Sequence, residues 1–222
     1  MVECSWFKNY FFNIIMLKSL SKSLLIIIIL FANLSFANLV SYKDLPSGTY
    51  QLDKTHASIV WQVSHLGLSD YTVRFSDFDA KIEFDAKNPT KSQVTAEINT
   101  FSIKTEYPYP EKKDFDKKLQ GNDWFNSDEF PKITFKSKEV KLIDDKNGIM
   151  LGDLTFLGVT KEIKMNVIFN GAMKRQPFTK KPTLGFKATS YISRSDWGMD
   201  IYIPNIADQV KITFDGEFTM KY

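Results

Sequence analysis

The chain has 222 residues, with 29 Lys and Arg against 26 Asp and Glu, a formal net charge of +3, two histidines and one cysteine. A charge balance this even argues against a nucleic-acid surface, which needs clustered base, and a lone Cys4 excludes an internal disulfide or a thiolate metal centre. The 19 Phe residues exceed what a modest core demands.

The first element is a leader. Residues 24–31, LLIIIILF, follow Lys18 and Lys22 and precede Ser35-Phe36-Ala37, small at both outer positions. A basic flank, a short apolar run and a small-x-small end describe a secretory signal peptide, with residues 1–37 removed after Ala37 and a periplasmic destination. A transmembrane span needs about 20 apolar residues, and Asn33 and Ser35 interrupt this run early. Residues 1–15 fit a leader poorly, so Met16 is expected to be the true start. Removing residues 1–37 takes away Cys4, Lys8, Lys18, Lys22 and Glu3, which leaves 185 residues at a formal charge of +1. The mature chain then holds together by its core alone, which its length permits. No cysteine stands at the cleavage point to take a lipid anchor.

From there period-two alternation dominates, the pattern of half-buried strands. Ile59, Trp61, Val63 and His65 share one face of the first long strand. Residues 81–85 alternate and end at Asn88-Pro89. Val94, Ala96 and Ile98 share a face, as do Ile133, Phe135 and Ser137. Asp145-Lys146-Asn147-Gly148 reads as a hairpin turn. Leu154 and Phe156 follow, and Gly158-Val159-Thr160 turns the chain. Met165, Val167 and Phe169 make a face, and Asn170-Gly171 is expected to turn again. Phe186, Ala188, Ser190 and Ile192 form the next strand, and Ile212, Phe214, Gly216, Phe218 and Met220 close the chain. Residues 110–126 break the pattern: Pro110 suits a first helical turn, Phe115 and Leu119 lie four apart, and one short helix ending near Gly121 is expected. The whole reads as one all-β domain, residues 38–222, with about eight strands in a sandwich or barrel.

The chemistry-bearing residues are sparse. His56 and His65 differ by an odd number, so a regular strand points them to opposite faces and one metal cannot take both without a bulge. No third ligand stands at a familiar spacing, so no metal is expected. Ser58 and Ser64 lie near the histidines but on the same strand, without the strand-to-helix elbow or the positioned base of a nucleophilic hydrolase. Asp114 and Asp116 sit in a lysine-rich segment, where such a pair is ordinarily solvated. His65 faces the same way as Trp61 and Val63 and is expected to line an interior, whereas His56 is expected to bond locally at the strand's start. An eight-stranded barrel either fills with side chains or holds one ligand, and walls of Phe, Trp, Met and Ile suit an acyl or prenyl chain.

The order of motifs resembles the YceI-like family. Asp53-Lys-Thr-His56-Ala57-Ser58-Ile59-Val-Trp61-Gln-Val63-Ser-His65-Leu-Gly67 matches its opening pattern. Arg74-Phe75 through Asp85, Ser102-Ile103-Lys-Thr105, Asp123-Trp124-Phe125, Phe130-Pro131-Lys-Ile133-Thr-Phe135-Lys-Ser137, Gly152 through Lys161 and Arg194-Ser195-Asp196-Trp197-Gly198 follow in the family's order, so the likeness spans about 50–222. The resemblance implies an extended, antiparallel, eight-stranded lipocalin-like β-barrel with one short helix, residing in the periplasm, with a long cavity for a polyisoprenoid or other lipid-like molecule and no established reaction. It allows a homodimer, which the residues themselves do not decide. Two positions depart from it: Lys118 stands where the family often has His, and Val73 where it often has Gly.

The residues expected at the ligand are Trp61, His65, Phe75, Phe101, Ile103, Trp124, Phe125, Phe135, Phe156, Phe186, Arg194 and Trp197. Most are apolar wall; His65 and Arg194 are the polar members, although Arg194 equally suits a structural role at a strand end. No catalytic residue, metal or cofactor is expected beyond a bound isoprenoid or fatty-acyl amphiphile. The competing reading is a hydrolase or isomerase that acts on a lipid-like substrate through His65.

Overall fold

The computed structural model describes residues 39–221; the expected leader, residues 1–37, lies outside them. The strands among the described residues are β1 (Gly48–His65), β2 (Ser69–Phe75), β3 (Phe78–Phe84), β4 (Gln93–Asn99), β5 (Ile103–Lys104), β6 (Lys132–Leu142), β7 (Asn147–Phe156), β8 (Val159–Met173), β9 (Thr183–Ser193) and β10 (Ile206–Met220). One α-helix, α1 (Phe115–Gln120), follows β5. All pairings are antiparallel, in the order β10-β9-β8-β7-β6-β4-β3-β1, and β1 pairs back onto β10. That last ladder closes the ring, so the fold is an eight-stranded β-barrel with one short helix.

The first strand makes closure work. Its N-terminal part, Gly48 to Gln51, pairs with β3, and its C-terminal part, Ile59 to His65, pairs with β2. On its other edge β1 follows β10 from Tyr50↔Met220 to His65↔Ile206. β2 therefore extends the wall above β3, and the two-residue β5 pairs with the end of β2. Closure removes the open strand edges that would otherwise invite pairing with other chains.

Side chains alternate in and out along each strand, as the sequence pattern requires. In β7 this is complete: Gly148, Met150, Gly152, Leu154 and Phe156 are buried and the residues between them are not. Gly152 has a packing reason. A Cβ there would fall 2.4 Å from the Phe135 ring and 2.7 Å from the Lys136 carbonyl. The β7–β8 connection is Leu157-Gly158 with φ of 47° and 73°, the left-handed pair that a two-residue hairpin needs.

Two expectations need correction. Asn170-Gly171 does not turn the chain; β8 runs through it to Met173 with a bulge between Phe169 and Gly171. Gly171 sits at φ 151° with Leu39 packed against it, and both the backbone and the close approach favour glycine. The helix is also shorter than expected. It begins at Asp114, whose side chain accepts the Lys117 N–H at 2.9 Å as an N-cap, so Pro110 precedes it. It stops at Gly121, as expected.

The barrel has two unlike ends. At the hairpin end lie the β6–β7 turn and a short 3-10 turn, Tyr42–Asp44, which packs the Tyr42 ring edge-on to Phe169 at 5.6 Å. The helix end holds the β1–β2 turn, α1 and the loop between β9 and β10. Among the described residues no helix is long and apolar enough to cross a membrane.

Candidate functional site

The inward stripes enclose a cavity of about 630 Å³ along the barrel, within the roughly 300–1,000 Å³ typical of ligand sites. Every strand of the closed ring contributes. β4 supplies Val94, Ala96 and Ile98; β6 supplies Ile133 and Phe135; β8 supplies Ile163, Met165, Val167 and Phe169; β10 supplies Ile212, Phe214 and Phe218. These are the faces that period-two alternation picks out. The polar lining is confined to the ends.

Nine of the expected residues meet at this cavity: Trp61, His65, Phe75, Trp124, Phe125, Phe135, Phe156, Phe186 and Arg194. Three do not. Phe101 lies on a 3-10 turn, 44% exposed, outside the barrel lumen. Ile103 is fully buried on β5 but behind the lining, and Trp197 is buried near Phe156, with ring centroids 6.5 Å apart, without reaching the cavity. Spacing could not separate these from true wall residues, because all three leave the regular strands where parity assigns a face.

Aromatic packing gives the helix end its shape. Phe125 stacks against Trp61, Phe75 and Phe156 at centroid distances of 5.9, 5.7 and 5.4 Å. Trp124 contacts Tyr202 at 6.1 Å. Sequence reasoning missed several lining residues here, including Tyr71, Phe115, Lys113 and Tyr202; Lys118, singled out as a departure from the family pattern, lines it too. Burial pushes the Tyr71 hydroxyl up from its ordinary value, partly offset by its donation to the Thr105 carbonyl at 3.3 Å. The indole N–H groups of Trp61 and Trp124 are buried and have no hydrogen-bond partner among the described residues.

The two polar members differ in role. Arg194 is 3% exposed. Its guanidinium donates to four backbone carbonyls: Ala207 at 3.0 Å, Met199 at 2.8 Å, Ile201 at 2.8 Å and Ile206 at 2.9 Å. Burial lowers its affinity for the proton, with Asp208 and Asp200 opposing that, yet arginine stays charged. It pins the β9–β10 loop, which is the structural role the sequence left open. His65 lines the cavity mouth but is exposed, and its ring makes no hydrogen bond among the described residues.

His56 is elsewhere. The register of β1 against β10 jumps from Leu52↔Phe218 to Ala57↔Gly216, so residues 53–56 bulge out opposite Glu217 alone. His56 Nδ1 lies 2.9 Å from Asp53 Oδ2, and Asp53 also accepts from the Thr55 N–H and hydroxyl at 3.0 and 2.6 Å. The Thr55 and His56 hydrogen bonds lower Asp53; the bond and charge of Asp53 raise His56. Asp53, His56 and Glu217 each place one ligand atom within 4.8 Å of the others, but none of the three lines the cavity. The expected local bonding of His56 is what the structure shows.

The YceI-like domain family matches residues 50–218. A UPF0312 protein of Pseudomonas syringae pv. tomato is 33% identical over 183 residues, covering 80% of this chain and 91% of that one. The chain belongs to the YceI-like family. Among solved structures, the Campylobacter jejuni YceI protein is similar at a TM-score of 0.59 with 28% identity, over 72% of this chain and 90% of that one. A polyisoprenoid binding domain from Saccharophagus degradans aligns at a TM-score of 0.56 with 15% identity, over 78% of this chain and 98% of that domain, a likeness of fold.

Proposed function

We propose that this protein binds a long-chain, lipid-like molecule of the isoprenoid or fatty-acyl class inside its barrel, and that it carries or stores that molecule in the periplasm after export. The observation that carries the reading is the apolar cavity of about 630 Å³. The ligand class of the S. degradans domain of the same fold supports it. Each methylene removed from water contributes roughly 0.8 kcal/mol, so a ten-carbon stretch supplies about 8 kcal/mol before the cost of ordering it. Such binding needs shape and apolar surface, with no catalytic constellation. His65 has no carboxylate or hydroxyl bonded to its ring among the described residues, so the enzymic reading gains no support from its surroundings.

The test is native mass spectrometry of the exported protein followed by organic extraction. A discrete added mass that extracts as a lipid is expected. A bare mass that stays bare after incubation with prenyl and acyl amphiphiles would sink the reading.

A further inference from the structure

The two ends of the cavity carry opposite chemistry. The acidic residues in its lining, Asp144 and Asp145, lie at the hairpin end beside Lys146. At the helix end the basic lining residues are His65, Lys113, Lys118 and the committed Arg194, joined by the Tyr71 and Tyr202 hydroxyls, with no carboxylate among them. Lys113 and Lys118 have no ion-pair partner among the described residues. Two carboxylates flanking these lysines are engaged elsewhere, and neither they nor Glu111 and Asp123 of the same segment line the cavity. Asp114 caps α1 through the Lys117 N–H, and Asp116 accepts the Thr105 N–H and hydroxyl at 2.8 and 2.6 Å and pairs with Lys104 at 3.4 Å. Lys113 is steadied by the Phe115 ring, 4.4 Å below its ammonium.

A second observation points the same way. Trp61 and Trp124 line the same end of the wall, and their buried indole N–H groups, like that of Trp197 behind them, have no acceptor among the described residues. Buried donors are ordinarily paired. Two ammonium groups at one mouth, beside two indole side chains and with no carboxylate in the lining there, suit a negatively charged, acceptor-rich group.

We propose that the ligand is an anionic amphiphile, its phosphate or carboxylate head held at the helix end by Lys113 and Lys118 with Trp61 and Trp124, and its tail running toward the hairpin end. This rests on the lipid-binding reading above and adds the head-group class and the direction of the chain. A charged acceptor strengthens each hydrogen bond it receives, and the apolar wall weakens competition from solvent.

The experiment compares farnesyl phosphate with farnesol on the delipidated, leader-free protein, read by calorimetry. Their tails are identical, so the head alone decides the difference. Farnesyl phosphate is expected to bind about tenfold tighter. The advantage, taken as the ratio of the two affinities within one variant, should fall to about twofold or less in the Lys113→Gln/Lys118→Gln double variant. These lysines are exposed, so the variant should keep the wild-type circular dichroism. Lys146→Gln, at the other end, should leave the advantage intact. Equal affinities in the wild type, or an advantage that survives the double substitution or disappears with Lys146→Gln, would overturn the head-group assignment alone. Inorganic phosphate that competes as well as farnesyl phosphate would replace it with a free-anion site. Failure of both prenyl compounds to bind would remove the lipid-binding reading as well.

Discussion

The wall from β6 to β10 and the segment from β5 to β6 form opposite kinds of structure around one cavity. The wall is a run of hairpins whose strands are ten or more residues long, and backbone pairing holds it with alternate side chains facing in. The segment has a two-residue strand and a six-residue helix, and side chains bonded to backbone hold it instead. Asp116 bonds Thr105, Gln120 donates to the Phe101 carbonyl at 3.0 Å, and Thr100 donates to the Phe130 carbonyl at 3.0 Å. A regular wall sets the volume and apolarity of the cavity. An irregular segment can place Lys113, Lys118 and Trp124 at its mouth, because no strand register dictates where they point. Such weakly laddered regions belong to the less stable part of a fold.

The largest effect should come within the wall, at the loop that joins β9 to β10. Arg194→Ala leaves four backbone carbonyls without their donor and should cost about 3 kcal/mol. The urea midpoint should fall with little change in slope. Arg194→Lys should recover little, since one ammonium cannot span that fork. A midpoint close to wild type in Arg194→Ala would mean that the loop does not depend on this pin.

A change in the wall should alter capacity more than fold. Ala188 is buried, lines the lumen and faces Val167 and Phe214 across the sheet. Ala188→Phe should fill space the tail needs and weaken prenyl or acyl binding at least tenfold, about 1.4 kcal/mol. Undiminished binding in a folded variant would place the tail outside the barrel.

Asp116→Ala tests the irregular segment. Losing the two Thr105 bonds should cost about 1 kcal/mol. Amide exchange should rise across residues 103–120 and stay unchanged in β7 and β8; a uniform rise would show that the regions unfold as one. Burial raises the Asp116 carboxyl, but the Thr105 bonds outweigh this and leave it lowered. Its stabilisation is therefore present at neutral pH and lost as the pH falls through the folded value.

The smallest effect belongs to the bulge outside the barrel. His56 is raised above 6.5, so its contribution is complete below that value and disappears as the pH rises through the folded one. Asp53 is lowered below 3.8, so its contribution is lost only as the pH falls through its folded value. In Asp53→Asn the His56 titration, followed by proton NMR, should move down toward the ordinary value, with lipid binding unchanged. A His56 titration that does not move would discount the Asp53 contact in solution.

The sequence by itself determined the strands, their inward faces and the family. Alternation is local, and a residue such as Phe135 or Met165 must face in wherever its strand lies, so Trp61, His65, Phe75, Phe135, Phe156 and Phe186 meet at the cavity, which Trp124, Phe125 and Arg194 reach from off the strands. The exceptions are equally physical. Phe101, Ile103 and Trp197 stand off the regular strands, where parity says nothing about direction. Asn170-Gly171 has the composition of a turn, but pairing to β9 on one side and Leu39 on the other makes it a bulge. Lys118 stood out only as a departure from the family pattern, Lys113 carried no signal, and Arg194 could have been a ligand or a pin. Only the tertiary structure decided that two lysines stand at the mouth while the arginine is committed to four carbonyls, because the β9–β10 connection folds back around Arg194 and the helix segment packs over the barrel end.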